Sequence, residues 1–209
     1  MTMSALFAHA SKPHDRRHGP LGYESYDGYK SWLRDEFTFR CVYCLEREMW
    51  YPDRAASFSV EHLTPQSEDA ALICEYGNLL YACTRCNSAR GAERILDPTW
   101  VAFGDHLRQG EDGLLIGSTE DGRDLIDLLH LNESPALIVR RKYSRIILLQ
   151  QRYPDDAEIE SLFLEAFGFP NDMPDLRSMR PPGGNSQSGS EQACYFARRE
   201  RGELPATYQ

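Results

Sequence analysis

Four cysteines stand in two pairs with the spacing of tight metal-binding turns, and a Glu-His dipeptide lies between the pairs. They are Cys41 with Cys44 and Cys83 with Cys86. Each CxxC turn presents two thiolates to one ion, so two turns complete the tetrahedral four-sulfur shell that structural zinc takes. The spacing therefore predicts one structural Zn²⁺ held by all four cysteines.

The residues enclosed by the cysteine pairs, and those directly after them, have the types that phosphodiester hydrolysis requires. His62 can take a proton from water, because an imidazole with an ordinary pKa of about 6.5 is largely neutral near pH 7. Glu61 and Asn87 offer oxygen ligands, which suit Mg²⁺ or Mn²⁺ better than Zn²⁺. Asn78 can orient the loop that carries His62, and Arg90 could reach a phosphate.

Each of these residues also has an ordinary structural interpretation. His62 could be a satisfied structural histidine, and Glu61 an exposed carboxylate on a strand. Asn87 could be a helix N-cap after the second cysteine turn, and Arg90 part of a solvated helix face. Residue type alone leaves both interpretations open. The clustering of Glu61, His62, Asn78 and Asn87 favours the chemical one for His62.

Together these residues resemble the HNH endonucleases, which have the ββα-metal fold. The pattern covers about residues 38–96 and reads, in order, Cys41-x-x-Cys44, Glu61-His62, Asn78-Leu79 and Cys83-x-x-Cys86-Asn87-x-x-Arg90-Gly91. The resemblance implies that His62 is the general base and that Asn78 holds the site in place. It also implies that Glu61 and Asn87 bind the catalytic divalent ion. Glu61 stands where the family more often has Asp, and Asn87 where it more often has His.

Residues 97–132 resemble a stand-alone bacterial subset of HNH proteins, some of which accompany ATPases in phage defence. This resemblance implies a metal-dependent, DNA-cleaving effector of defence or restriction, with an ATPase or another regulatory subunit as partner. A homodimer is also expected, since many double-strand cutters of this type pair two single-site subunits. The alternative is a catalytically silent zinc-binding module that recruits nucleic acid or a protein.

Charge and composition narrow the class of protein. The 209 residues carry a net charge of -9, which argues against a protein whose whole surface binds nucleic acid but leaves room for a local contact. The densest basic cluster is the predicted DNA contact outside the motif, with a solvated or ion-paired helix face as the alternative. It consists of Arg140, Arg141, Lys142 and Arg145.

The same properties predict where the protein resides. No apolar run is long enough to cross a membrane, and the first fifteen residues lack the order of a secretory signal. Cysteines in CxxC turns fit a metal in a reducing compartment better than disulfides. We therefore expect a cytoplasmic protein with no membrane contact.

Short elements must position the candidate residues. Apolar spacing from Tyr26 to Phe37 predicts a helix before the first cysteine turn, and the alternation over residues 57–63 predicts a strand that carries Glu61 and His62. A short helix is expected from Ser67 to about Gly77. Then follow a second strand over residues 78–82 and a helix over residues 87–94.

The expected fold class is α+β, a small zinc-stabilised ββα-metal module embedded in a mainly helical single domain. We expect residues 1–25 to form a flexible N-terminal arm and residues 26–97 the nuclease module. Residues 98–169 should form a mainly helical accessory region. Residues 170–209, rich in Pro, Gly, Ser and Asn near their start, should form a linker and a C-terminal tail.

Overall fold

Two short antiparallel strands carry the Glu-His dipeptide and lead into the second cysteine turn. The computed structural model of the protein describes residues 7–208. Strand β1 spans Phe58–His62 and pairs with β2, Leu79–Cys83, so that Glu61 lies opposite Leu80. Every residue of β2 is buried, because helices pack against it. The predicted strands are both present, each within one residue of the expected bounds.

Two helices flank this hairpin. A 3₁₀ turn, Tyr26–Tyr29, runs directly into α1, Lys30–Glu36, and together they form the predicted helix before the first cysteine turn. Helix α2, Thr84–Arg90, begins where β2 ends. It starts and ends earlier than the predicted 87–94, since Gly91 at its C-terminal end has φ 58, a backbone conformation that favours glycine. The strand, strand, helix order is that of a ββα unit.

The helix expected over residues 67–77 is not formed. The segment holds only two 3₁₀ turns, Ala70–Leu72 and Tyr76–Asn78. The side chains of Asn78 and His62 donate hydrogen bonds to the carbonyls of Leu72 and Ile73, respectively. Those carbonyls would otherwise accept the next turn of a continuous helix, so the side-chain contacts of the site replace it.

The rest of the described chain is mainly helical and includes a small second hairpin. Thr119 caps the N-terminus of one of these helices and Asp156 that of another. The elements are α3 Phe103–His106, β3 Leu107–Gln109, β4 Leu115–Gly117, α4 Glu120–Leu128, α5 Ser134–Arg152, α6 Ala157–Phe167, α7 Ser190–Ala193 and α8 Tyr195–Glu200. With the ββα unit, they give the α+β class that the sequence predicts.

The main hydrophobic core extends beyond the ββα unit. Trp32 and Tyr81 from that unit share one cluster of buried residues with Leu125 of α4, with Leu176 and with Ala197 of α8. The boundaries expected at residues 97 and 169 therefore do not separate independent cores. Residues 170–208, expected as linker and tail, pack onto the body, and Arg47 donates a 2.7 Å hydrogen bond to the Tyr208 carbonyl.

The described part of the expected N-terminal arm is also packed. His9 Nε2 donates to the Tyr43 carbonyl at 2.8 Å, and His18 Nε2 donates to Asp35 at 2.8 Å. Arg16 donates to the Leu79 carbonyl at 2.6 Å. In this structure these polar side chains of the expected arm have partners on distant segments, and the flexibility of the arm stays a prediction. Residues 1–6 of that arm lie outside the described residues.

Among residues 7–208, no helix is both long and apolar enough to cross a membrane.

Candidate zinc site and active-site cleft

The four paired cysteines meet at one buried point. The Sγ atoms of Cys41, Cys44, Cys83 and Cys86 all lie within 4.8 Å of one another. Cys44 Sγ and Cys83 Sγ are 3.8 Å apart. A tetrahedral zinc with Zn–S bonds of about 2.3 Å places its sulfurs about 3.8 Å from each other. The geometry of the cluster therefore fits a zinc ion.

The ionisation of these thiols also points to a cation. Burial raises the pKa of Cys44 well above its ordinary value, whereas hydrogen bonds from the neighbouring cysteines lower the pKa of Cys83. Four buried sulfurs at this separation cannot all ionise unless a positive charge lies among them. Zn²⁺ supplies that charge when bound, which agrees with the sequence prediction for the four cysteines.

The zinc cluster is tied to the strands that carry the polar residues. In the first turn, the Cys41 amide donates to the Glu46 carbonyl at 2.9 Å, and the Val42 amide donates to the Tyr81 carbonyl of β2 at 2.9 Å. In the second turn, Cys83 ends β2 and Cys86 lies in α2. Metal binding at the cysteines thus holds the ends of β2 and α2 in place.

A cleft of about 530 Å³ opens beside the cluster. One wall consists of Glu61 and His62 from β1 with Asn87 from α2. The lining also includes Tyr26, in the 3₁₀ turn, and Lys30, at the start of α1. Three of the four predicted catalytic residues therefore line one cavity that is large enough for a phosphodiester group with its neighbouring sugars.

One ring nitrogen of His62 is hydrogen-bonded to a main-chain carbonyl, and the other is in contact with a side-chain amide. Its Nε2 lies 3.0 Å from the Ile73 carbonyl, which can only accept a hydrogen bond, so the proton of the neutral ring is on Nε2. The lone pair is then on Nδ1, to which the Gln66 amide donates at 3.2 Å. Burial lowers the pKa of His62 below 6.5, although the bond to Ile73 opposes the change. These features favour a neutral imidazole with Nδ1 as the basic atom.

Glu61 is buried and paired with Arg90. The carboxylate is 2% exposed and accepts a hydrogen bond from Arg90 Nη1. Burial raises the pKa of Glu61 to about 7, even though the charge of Arg90 lowers it. Only Oε1 takes part in that bond, and Oε2 accepts no hydrogen bond from the residues that the structure describes. One carboxylate oxygen is therefore left for a cation in the cleft.

Arg90 does not occupy the position that the sequence suggested. It was predicted to reach a phosphate, but it is 2% exposed. Besides Glu61, it donates to the carbonyl of His62, to that of Leu63 at 2.6 Å and to that of Glu93 at 2.8 Å. The guanidinium thus holds the end of β1 against α2, and its donors are already used within the protein.

Asn87 presents an oxygen at the cleft. Its Nδ2 donates to Ser59 Oγ at 2.7 Å, which fixes the orientation of the amide. Within the described chain, its Oδ1 accepts no hydrogen bond. Carboxylate and amide oxygens are ligands that Mg²⁺ and Mn²⁺ accept. The donor set of Glu61 and Asn87 therefore fits a small divalent ion.

Asn78 lies next to the cleft without lining it. Its Oδ1 accepts from the Thr64 amide at 2.7 Å, and its Nδ2 donates to the carbonyls of Thr64 and Leu72 at 3.2 and 3.1 Å. These three bonds join the loop after His62 to the turn before β2. The loop-orienting role of Asn78 stays a prediction, and these contacts are compatible with it.

The predicted basic cluster on α5 does not form one surface. Arg140 is 1% exposed and donates to the carbonyls of Gly113 and Leu131, so it cannot contact DNA in this structure. Arg141, Lys142 and Arg145 are exposed. The prediction is therefore wrong for Arg140, whose position on the helix faces the β3–β4 hairpin, and stays a prediction for the other three.

The cleft also includes residues that the sequence analysis missed. The ring of Tyr26 contacts the ring of His62 edge-on, with centroids 4.8 Å apart. Lys30 also lines the cleft, and Gln66 contacts His62. The one available signal was spacing, because Lys30 follows Tyr26 by four residues, as Gln66 follows His62. Spacing of that kind is too common to identify a site.

Comparisons with known proteins agree with this geometry. The aligned region shared with a Septu protein PtuB from Bacillus thuringiensis is 31% identical over 107 residues and covers 49% of this chain. The chain spans 40% of that relative's length. No solved structure matches the chain. Residues 41–93 match the family model described as HNH endonuclease, so the segment with the cysteine cluster and the polar wall of the cleft is an HNH endonuclease domain.

Proposed function

We propose that the protein is a metal-dependent endonuclease that hydrolyses DNA phosphodiester bonds in this cleft. The observation that carries the proposal is the convergence of three groups on one cavity within the HNH domain. They are a neutral imidazole with a defined basic nitrogen, a carboxylate and an amide oxygen. In outline, His62 takes a proton from water, and Glu61 with Asn87 holds one divalent ion.

The imidazole of His62 is prepared for the role of general base. The Ile73 carbonyl holds the proton on Nε2 and so directs the Nδ1 lone pair away from the 3₁₀ segment. Gln66 can exchange its contact with Nδ1 for one with a water molecule, because the amide is on a loop that borders the cleft. A water on Nδ1 would be activated for attack on a phosphorus atom as its proton passes to the ring.

The oxygen atoms of Glu61 and Asn87 are the candidate ligands for the divalent ion. Mg²⁺ or Mn²⁺ at this position would supply positive charge to the phosphate oxygens as the P–O bond breaks. Glu61 must be ionised to bind a cation, and its raised pKa means that a proton competes with the ion. The four cysteines, by contrast, hold a structural Zn²⁺ that takes no part in the chemistry.

The similarity to a Septu protein PtuB supports a role in phage defence. We propose that the chain is a defence or restriction-type effector that a regulatory subunit, such as an ATPase, activates or delivers. The net charge of -9 supports dependence on a partner, because an acidic chain has weak non-specific attraction for DNA. A partner that binds DNA would supply that attraction. Two copies of the chain would suffice for cleavage of both strands.

One observation favours a second function. The Glu61 carboxylate is engaged by Arg90 and the Nδ1 atom of His62 by Gln66, so both reactive groups have partners inside the protein. A catalytically silent domain that recruits nucleic acid or a protein would also show these contacts. The two functions differ in whether replacing His62 changes a measured cleavage rate.

The test is a nicking assay on supercoiled plasmid with Mg²⁺ or Mn²⁺, run with and without the proteins encoded by neighbouring genes. His62→Ala should lower the rate roughly 100- to 10,000-fold, the usual contribution of a general base. His130→Asn is the matched control, since His130 is exposed, remote from the cleft and has φ 51, which asparagine tolerates. Equal cleavage by the parent and both variants would show that His62 is not the general base. No cleavage by any of the three would favour the binding function.

A further inference from the structure

One part of the cleft lining comes from outside the HNH domain. It is formed by the 3₁₀ turn Tyr26–Tyr29 and the first turn of α1, whereas the domain match begins at residue 41. The edge-on contact between Tyr26 and His62 holds this part of the lining beside the proposed base. Residues of this part are therefore placed to contact whatever binds at His62.

Apart from the proposed divalent ion, the HNH wall offers a phosphodiester no readily available cationic side chain. Its cationic side chain is Arg90, which is 2% exposed and whose three nitrogens already donate to Glu61 and to main-chain carbonyls. A backbone phosphate is usually bound by Lys or Arg side chains with free donors. A side-chain contact of that kind would come from elsewhere in the lining.

Lys30 meets that requirement. It lines the cleft and is half-buried, and within residues 7–208 its ammonium group makes no hydrogen bond or ion pair. It lies one residue after the 3₁₀ turn that begins with Tyr26, and both residues line the cavity.

The acidic neighbours of Lys30 only partly offset the effect of burial on its charge. Arg34, one turn further along α1, is bound by Glu48 at 2.8 Å and by Asp172 at 3.2 Å. Burial and the charge of Arg34 lower the pKa of Lys30, whereas the charges of Glu48 and Asp27 raise it without reversing the change. Asp27 also borders the cavity but is exposed and not paired with Lys30. An anionic ligand in the cleft would therefore stabilise the ammonium group.

We propose that Lys30 is a phosphate contact of the cleft and binds a non-bridging oxygen of the nucleic-acid backbone in the cavity that His62 also lines. The proposal rests on the proposed function, since it assumes that the cleft receives a nucleic-acid strand. It assigns to Lys30 the phosphate contact that the sequence predicted for Arg90. It also makes the segment before the HNH domain part of the substrate site.

The contact can be measured as binding, separately from cleavage. All variants carry His62→Ala, so that DNA stays intact, and a fluorescent duplex and a fluorescent single strand are titrated at several salt concentrations. Lys30→Gln should weaken binding about tenfold at low salt. It should also reduce the slope of log K against log salt by about 0.7 to 0.9, the value for one lost phosphate contact. Lys30→Arg, which keeps the charge, should bind within about threefold of the parent.

Lys12→Gln is the matched control, because Lys12 is exposed and borders a different cavity. It should leave affinity and salt slope unchanged. Equal zinc content and equal thermal unfolding of all variants would show that Lys30→Gln is folded. An unchanged salt slope in folded Lys30→Gln would overturn the proposal, as would an equal effect of Lys12→Gln.

The result of the binding experiment can be distinguished from the result of the nicking assay. If no protein cleaves DNA but Lys30→Gln still loses affinity and slope, the proposed chemistry is wrong and the phosphate contact stands. If the parent with His62 intact cleaves DNA and Lys30→Gln neither raises KM nor changes the salt slope of binding, the proposed function stands and the Lys30 contact is wrong.

Discussion

Arg90 of α2 and Glu61 of β1 form an ion pair that is closed off from solvent on both sides. The pair joins the helix to the strand at the point where the cleft begins. Its two members had separate expected roles, one as phosphate contact and one as metal ligand. Because a buried charge needs a partner, each now depends on the other, and the Glu61 carboxylate is held in place by Arg90.

Removal of Arg90 should destabilise the fold strongly. Arg90→Ala leaves the Glu61 carboxylate buried without a partner and should cost about 3 to 5 kcal/mol of unfolding free energy. Arg94→Ala is the matched control, since Arg94 pairs with Glu68 at the surface and its side chain is 85% exposed. Loss of an exposed pair costs about 1 kcal/mol or less. Urea denaturation of the zinc-loaded proteins measures both.

A second substitution tests whether the cost comes from the unpaired charge. Glu61→Gln in the Arg90→Ala background should recover part of the lost stability, with a coupling of about 1 kcal/mol or more. If the two changes are simply additive, the ion pair does not link α2 to β1 energetically.

The sequence predicted the structural features that depend on residues close together in the chain. It predicted fewer of the features that depend on contacts between distant segments. Two CxxC turns specify four convergent sulfurs locally, and the strand that carries His62 follows from alternation over a few residues. The burial of Arg90 could not be predicted, because it depends on how α2 packs against β1. Lys30 lies 32 positions before His62 and reaches the cleft because α1 and the turn before it pack against β1 and β2.

Zinc should be required for the fold of the HNH domain. Cys83→Ser removes one of four ligands, and we expect the bound zinc to fall from about one per chain towards zero, with a lower unfolding temperature and loss of cleavage. Cys74→Ser is the matched control, because Cys74 lies outside the cluster. Metal analysis of fresh protein gives the zinc content. A chain that folds fully with no metal at all would contradict the structural role of the cluster.

The pH dependence of cleavage should report His62. At saturating metal, which keeps Glu61 ionised, the remaining requirement is a neutral general base, and burial lowers the pKa of His62, so activity should be lost on the acid side at a pH below 6.5. Gln66→Glu places a carboxylate beside Nδ1 and favours the protonated ring. The acid limb of log kcat/KM against pH should then move to higher pH at saturating metal. A limb that stays in place would mean that another group controls it.

The stability of the fold in acid should depend on Glu36. Burial alone would raise the pKa of this carboxyl, but the hydrogen bond from His14, the charge of His18 and the Arg17 amide outweigh burial and lower the pKa to about 2. A carboxylate with a lowered pKa stabilises the fold above its ordinary pKa, and the contribution is lost as pH falls towards the folded value. The contribution is about 3 kcal/mol at neutral pH.

Comparison with Glu36→Gln isolates this contribution, since loss of zinc in acid affects both proteins. Above about pH 5 the parent should be more stable than the variant, and the difference between their unfolding free energies should shrink steadily as pH falls towards 3. Urea denaturation at each pH, with zinc content recorded, gives the difference. Because His14 and His18 belong to the segment expected to be a flexible arm, a difference that stays constant with pH would show that this segment does not hold Glu36 ionised in solution.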